Sequence, residues 1–278
     1  MSQARGDTVD RYAVLGHPIS HSRSPAIHRL FARQTGEQLR YDALDVLPAD
    51  FDTTVRDFFA AGGRGLNVTL PHKQAAFALA RQRTPRALSA AAVNTLLCVD
   101  GALLGDNTDG AGLVRDLRAN LGIELAARRL LLLGAGGAAR GALGPLLEAA
   151  PAAIVIANRH LARALELARV RADERVSAVA LEALQDRHFD LVINATSASL
   201  AGQVPAVPAG VIGAHTCCYD MAYGREPTAF MRWATAQGAA RVLDGLGMLV
   251  EQAAESFYLW RGVRPDTAPV MAALKTLQ

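Results

Sequence analysis

The chain has 278 residues, 51% hydrophobic and 20% charged, which suits a globular protein of two domains or one large one with room for buried cores. A net charge of +3, with the basic residues scattered rather than clustered, argues against a nucleic-acid or membrane-surface binder and leaves room for a cationic cleft taking a small acidic molecule. No apolar run approaches the ~18 residues of a membrane span, Met1–Asp10 lacks the apolar core of a leader, and Cys98, Cys217 and Cys218 make no disulfide framework, so a reducing cytoplasm is expected.

Tyr12–Leu15 reads as a short strand ended by Gly16 and Pro18. Ser24 followed by Pro25 reads as an N-cap and first turn of a helix through Ala32. Ser22 and Ser24 admit two readings: a cap and a polar loop, or an anion site for a group such as a carboxylate beside the free helix N–H groups. His17 and His21 are four apart, but Pro18 prevents a helix between them and no acidic or cysteine partner follows, so no metal site is expected.

Tyr41–Val46 reads as a second strand, and Phe51–Ala60 as a helix stopped at Gly62-Gly63. A third strand carrying Leu66, Val68 and Leu70 turns straight into a helix through Ala80, with Thr69 as its cap and Pro71 in its first turn. This β-α-β-α-β-α order implies a mostly parallel sheet. Lys73 falls in that first turn, where a cation opposes the helix dipole by about 0.3–1 kcal/mol. All but two of the 29 basic residues are arginine, and Lys73 is one of the two exceptions. Lysine can release a proton where arginine cannot, which marks Lys73 as a candidate for proton chemistry.

Val93–Val99 and Ala102–Gly105 flank Asp100-Gly101, a strong hairpin signal. The polar turn Gly105–Gly110 then feeds a helix from Ala111 to about Asn120, and Asp106 or Asp109 suits its cap.

Arg129–Leu133 is an apolar strand running into Gly134-Ala135-Gly136-Gly137-Ala138-Ala139 and a helix. That is the glycine turn of dinucleotide-binding proteins in its required strand–turn–helix setting. The next strand, Ile154–Ala157, ends in Asn158-Arg159 with Arg163 four residues on. NAD-binding chains usually place a carboxylate there, and arginines in its stead favour a 2′-phosphate, hence NADP. Strands at Val176–Val179, Leu191–Asn194, Thr216–Asp220 and Arg241–Leu243 complete a six-stranded doubly wound domain. Asn194-Ala-Thr196-Ser197 lies at a strand's C-terminal end, where cofactors bind in such sheets. Asp244–Met248 leads into a last helix through about Trp260, with Gln252 near its apolar face and Gly262 and Pro265 as its stop.

Nine of these stretches, in this order, resemble the shikimate dehydrogenase family over nearly the whole chain: Ser22-Arg-Ser24-Pro25, Asn67-Val-Thr69 with Lys73, Ala92-Val-Asn94-Thr95, Asp106–Gly110, Gly134–Gly137, Asn158-Arg159, Asn194–Ser197, Tyr219–Tyr223, and Gly245–Met248 with Gln252. The resemblance implies an α/β fold in which 1–109 and 246–278 form a substrate-binding domain and 110–245 a Rossmann-like NADP domain. It implies reversible reduction of 3-dehydroshikimate to shikimate with NADPH in aromatic amino-acid biosynthesis, by a monomer or homodimer. By the family's pattern Ser22 and Ser24 hold the substrate carboxylate, and Thr69, Asn94, Asp109, Tyr223 and Gln252 hold ring hydroxyls. Met221 and Gly245 line the nicotinamide, and Lys73 with Asp109 forms the acid/base pair. Lys73 would protonate the developing alkoxide, or stabilise it while Asp109 or a water carries the proton. His160 stands where relatives often have Thr or Ser. A quinate/shikimate paralogue is the alternative within enzymes, and a non-catalytic NADP-binding sensor the alternative outside them.

Overall fold

The structure, a computed structural model, describes residues 9–276. Met1–Thr8 of the leader-free reading, and Leu277 and Gln278 of the expected first domain, lie outside the described residues. The chain forms two units: one runs to Thr108 and resumes at Ala253, and the other is Asp109–Gln252.

The first unit contains β1 (Asp10–Gly16), α1 (Ser24–Thr35), β2 (Leu39–Asp45), α2 (Phe51–Ala60), β3 (Gly65–Val68), α3 (Lys73–Leu79), β4 (Gln82–Arg83), α4 (Pro85–Ala90), β5 (Thr95–Val99) and β6 (Ala102–Asp106). Its sheet has the order β2-β1-β3-β5-β6-β4. β1 lies parallel between β2 and β3, while β5 runs antiparallel to both β3 and β6. β1 buries both faces, Ala13 and Leu15 against one cluster and Tyr12 and Val14 against another, which is why it reads as an unbroken apolar run. The hairpin turn has φ 49° at Asp100 and 77° at Gly101, the left-handed pair that a two-residue turn demands.

Two helix starts differ from expectation. Ser24 is the first residue of α1 rather than its cap; Arg23 holds the cap position, and the Ser24 N–H is met instead by Ser22 Oγ at 3.3 Å. Thr69 does not cap α3, which begins at Lys73 with His72 as the residue before it. Thr69–His72 is a turn of its own, closed by the His72 N–H on the Thr69 carbonyl at 2.9 Å, so Pro71 precedes the helix instead of opening it. Leu70–Pro71 and His17–Pro18 are cis.

The second unit contains α5 (Asp109–Arg115), which continues as a π-helical turn over Asp116–Asn120, then β7 (Arg129–Leu133), α6 (Gly137–Glu148), β8 (Ala153–Ala157), α7 (Leu161–Arg171), β9 (Val176–Val179), β10 (Leu191–Asn194), β11 (Cys217–Asp220), α8 (Ala229–Ala236) and β12 (Arg241–Leu243). The helix expected from Ala111 therefore begins two residues earlier, with Asp109 inside it, and Asp106 is not its cap. All six strands are parallel, in the order β12-β11-β10-β7-β8-β9. Leu130 and Leu132 of β7 face one core with Leu143, Leu146 and Leu167, and Leu131 and Leu133 face the other with Phe189, Val211 and Phe230. Each buried leucine contributes roughly 1.5–3 kcal/mol, so β7 anchors both layers. α9 (Leu246–Arg261) begins in the second unit and passes at Gln252–Ala253 into the first, where α10 (Ala268–Thr276) follows.

Candidate functional site

In the first unit the expected residues collect at the C-terminal ends of β1 and β3. A Cβ on Gly16 would lie 2.5 Å from Thr69 Cγ2, so only glycine lets the loop after β1 rest against Thr69. The Thr69 N–H donates to the Leu15 carbonyl at 2.8 Å and the His17 N–H to the Leu70 carbonyl at 3.0 Å. Ser22 and Ser24 follow on that loop, Ser22 half-buried and Ser24 buried beside the Tyr41 phenol. Lys73, half-buried, accepts through its carbonyl the Val93 N–H at 2.9 Å, and the next residue, Asn94, accepts the Val68 N–H at 2.8 Å. Thr69, Lys73 and Asn94 are thus fixed on neighbouring backbone.

Beneath them runs a buried polar chain that joins Asn94 to Tyr41, Asn67, Thr95, Thr108 and Ser256, five residues not among the expected site residues. Tyr41 donates to Asn67 Oδ1 at 2.7 Å, and Asn67 Nδ2 donates to Ser256 Oγ at 2.9 Å and to Thr95 Oγ1 at 3.1 Å. Thr95 Oγ1 donates to Asn94 Oδ1 at 2.9 Å, which also accepts the Thr108 N–H at 2.9 Å. Asn67 is a polar residue inside an apolar strand, and that was its one legible signal. Burial holds the Tyr41 hydroxyl protonated, its pKa well above the ordinary phenol value despite the neighbouring Ser24.

In the second unit the expected cofactor residues line the C-terminal edge of the sheet, where doubly wound folds take their ligands. Gly134 has φ 108°, open only to glycine, and a Cβ there would meet the Ala195 carbonyl at 3.1 Å and Thr196 Cγ2 at 3.2 Å. Ala135 is buried behind it. Gly136 stands at the N-cap of α6 with no side chain to cap it, and the ground before Gly136 and Gly137 is open for 4 Å. The N–H groups of Gly137 and Ala138 therefore begin an uncapped twelve-residue helix facing open space, a good fit to a pyrophosphate.

At the end of β8, Asn158 Nδ2 donates to the His160 carbonyl at 3.0 Å and clasps the turn into α7. Arg159, His160 and Arg163 are exposed on that turn, which suits a 2′-phosphate. Thr196 is held by Asn194 Oδ1 through both its N–H, at 3.1 Å, and its hydroxyl, at 2.7 Å. Asn194 Nδ2 in turn donates to Asp220 at 3.1 Å. Met221 is joined to this group by its N–H on the Asn194 carbonyl at 3.0 Å. A Cβ on Gly245 would lie 2.2 Å from the Met221 carbonyl, so these two backbones touch. Tyr223 is half-buried two residues beyond Met221. Asp109, 5% exposed, opens α5, and Gly112 one turn on would carry a Cβ 2.6 Å from the Gln252 backbone nitrogen, so α5 and the start of α9 meet without a side chain between them.

Family comparisons match three stretches of the chain: residues 14–96 to a shikimate dehydrogenase substrate binding domain, 117–202 to shikimate/quinate 5-dehydrogenase, and 245–275 to a shikimate 5'-dehydrogenase C-terminal domain. The chain is 57% identical to a shikimate dehydrogenase (NADP(+)) of Alkalilimnicola ehrlichii, over 96% of this chain and 99% of the relative. It is 54% identical to that of Hahella chejuensis over 96% and 99%. Among solved structures it is similar to shikimate 5-dehydrogenase from Thermus thermophilus in complex with NADP(H) and shikimate, at 36% identity and a TM-score of 0.86, covering 97% of this chain and 100% of that one.

Proposed function

The chain belongs to the shikimate dehydrogenase family, and on that premise we propose that it catalyses the reversible, NADP-dependent reduction of 3-dehydroshikimate to shikimate in aromatic amino-acid biosynthesis. The observation that carries this reading is 57% identity over 96% of the chain to an NADP-dependent shikimate dehydrogenase. NADP is the cofactor and the substrate is a small carboxylate-bearing ring.

Within this reading 1–109 with 246–278 binds substrate and 110–245 binds NADP. Ser22 and Ser24 donate to the carboxylate, and Thr69, Asn94, Tyr223 and Gln252 hold ring hydroxyls. The glycine turn Gly134–Ala138 takes the pyrophosphate on uncapped N–H groups, Asn158, Arg159 and Arg163 take the 2′-phosphate, and Thr196, Met221 and Gly245 border the nicotinamide half. The bound NADPH supplies the hydride for the ketone carbon. Lys73 acts at the reacting oxygen, where its ammonium offsets the negative charge that develops and supplies the proton. Asp109 orients the hydroxyl being formed and is Lys73's partner in returning that proton. Three free cysteines support a cytoplasmic protein, and a monomer or homodimer is the assembly we propose.

The test is oxidation of shikimate by the purified protein with NADP, set beside quinate and beside NAD. Shikimate with NADP should be the preferred pair by at least tenfold in kcat/KM.

A further inference from the structure

Asp106 is 1% exposed, and the bonds that hold its side chain come from within the first unit. Arg86 grips it with two prongs, Nε to Oδ1 at 3.0 Å and Nη2 to Oδ2 at 2.5 Å. The Thr84 hydroxyl donates to Oδ1 at 2.5 Å, and the Asn107 N–H donates to the same oxygen at 2.7 Å. The guanidinium reaches on to Glu255 at 3.4 Å, which Arg264 meets at 2.7 Å. A buried ion pair is weak evidence for stability, since apolar residues of similar volume often serve as well or better. Its two-pronged form does fix direction.

What it fixes is the run Asp106–Thr108. The Asp106 carbonyl accepts the Asn94 N–H at 3.0 Å, and Asn107 Nδ2 donates to the Ala92 carbonyl at 3.1 Å. Asn94 and Thr108 are then joined by the Thr108 N–H to Asn94 Oδ1 and by Asn94 Nδ2 to Thr108 Oγ1, both at 2.9 Å. The rotamer of Asn94 and the point from which the chain enters Asp109 are therefore both set by a segment that Arg86 holds.

We propose that Arg86 is a positioning residue for the reaction, acting through Asp106 to set the Asn94 amide and the start of Asp109. This rests on the roles proposed above for Asn94 and Asp109. Arg86 lies on α4, and its side-chain bonds go to Asp106 and Glu255.

The test compares wild type, Arg86→Gln, Arg86→Lys and the double variant Arg86→Gln/Asp106→Asn. Thermal stability, NADP binding by titration, shikimate kinetics and peptide-level hydrogen exchange are read for each. Arg86→Gln should lower kcat/KM for shikimate at least tenfold, leave the NADP dissociation constant within twofold, and speed exchange over 106–109. Arg86→Lys should recover part of the loss. The double variant removes the unpaired buried charge, so it should regain stability without regaining kcat/KM. A double variant with wild-type kcat/KM would overturn the proposal, as would unchanged exchange over 106–109 in Arg86→Gln. If Arg86→Gln does not fold, Arg86→Lys and the double variant carry the same comparisons. A wild-type protein inactive on shikimate would end the functional reading instead, and the exchange data would still decide the clamp.

Discussion

The Tyr219 hydroxyl donates to Asp116 Oδ2 at 2.7 Å, tying β11 to the π-helical turn that follows α5. Both side chains are buried. A Cβ at Gly247 would lie 2.0 Å from Asp116 Oδ1, so the same carboxylate also lies against the first turn of α9. Removing the hydroxyl in Tyr219→Phe leaves a buried acceptor short of a donor and should cost about 1.5–3 kcal/mol, measured by denaturant unfolding. NADP affinity should weaken with it, since Gly245 precedes that turn.

Burial raises the Asp116 pKa above its ordinary 3.8, with Tyr219 and Asn120 opposing and Glu251 and Asp244 adding to the rise. The folded state therefore holds this proton more tightly than the unfolded chain. The stability Asp116 contributes is present below 3.8 and falls as pH rises through the interval above it. Asp116→Asn removes that dependence. Its melting temperature relative to wild type should climb between pH 4 and neutrality, and a flat difference would contradict the assignment.

His28 presents the opposite sign. It is fully buried, stacked on Tyr41 at 4.1 Å, and neither ring nitrogen meets a partner at hydrogen-bonding geometry. Burial lowers its pKa from 6.5 to about 3, with nearby Asn67 offsetting this only in part. The unfolded chain binds the proton first, so this stability is complete above 6.5 and is lost as pH falls towards 3. The loss is of order 5 kcal/mol. His28→Phe should match or exceed wild-type stability at pH 7 and shift the acid unfolding midpoint downward. An unmoved midpoint would show that other groups govern the acid limb.

Gly245→Ala would press a methyl group to 2.2 Å from the Met221 carbonyl, a backbone atom that cannot rotate away. The two strand ends must separate. We expect a loss of more than tenfold in kcat/KM for shikimate, larger than the change in NADP affinity, because the adenine end is untouched.

Arg159 and Arg163 have no ion-pair partner among the described residues, so their charge is available to a ligand. Arg159→Ala should raise the NADP dissociation constant by ~10–100-fold, the worth of one or two charge-assisted bonds, and leave NAD nearly unchanged. Equal weakening of both would remove the 2′-phosphate from its role.

Local patterns in the sequence carried much of the fold. The Leu130–Leu133 run, the glycine turn and the Asp100-Gly101 hairpin are each decided by neighbours within a few residues. The helix starts near Ser24 and Thr69 depart from their local signals because caps depend on where the chain comes from: Ser22 reaches forward to Ser24, and Thr69 closes a separate turn with His72. The pairs that hold the candidate site together lie far apart in the chain, 20 residues for Arg86 and Asp106 and 103 for Tyr219 and Asp116. No periodicity or cap signal reports such pairs. The bond from Asn67 to Ser256 spans 189 residues, and no local pattern reports it either.

The measurement closest to the central claim is NADP reduction by the purified protein with shikimate, run for wild type, Lys73→Ala and Lys73→Arg. Wild type should turn over shikimate, Lys73→Ala should lose at least a hundredfold in kcat, and Lys73→Arg should recover little of it, since arginine keeps the charge but cannot pass the proton. Wild-type protein that binds NADP tightly and leaves shikimate unoxidised would contradict the account. Full activity in Lys73→Arg would confine the contradiction to the role of Lys73 as proton carrier.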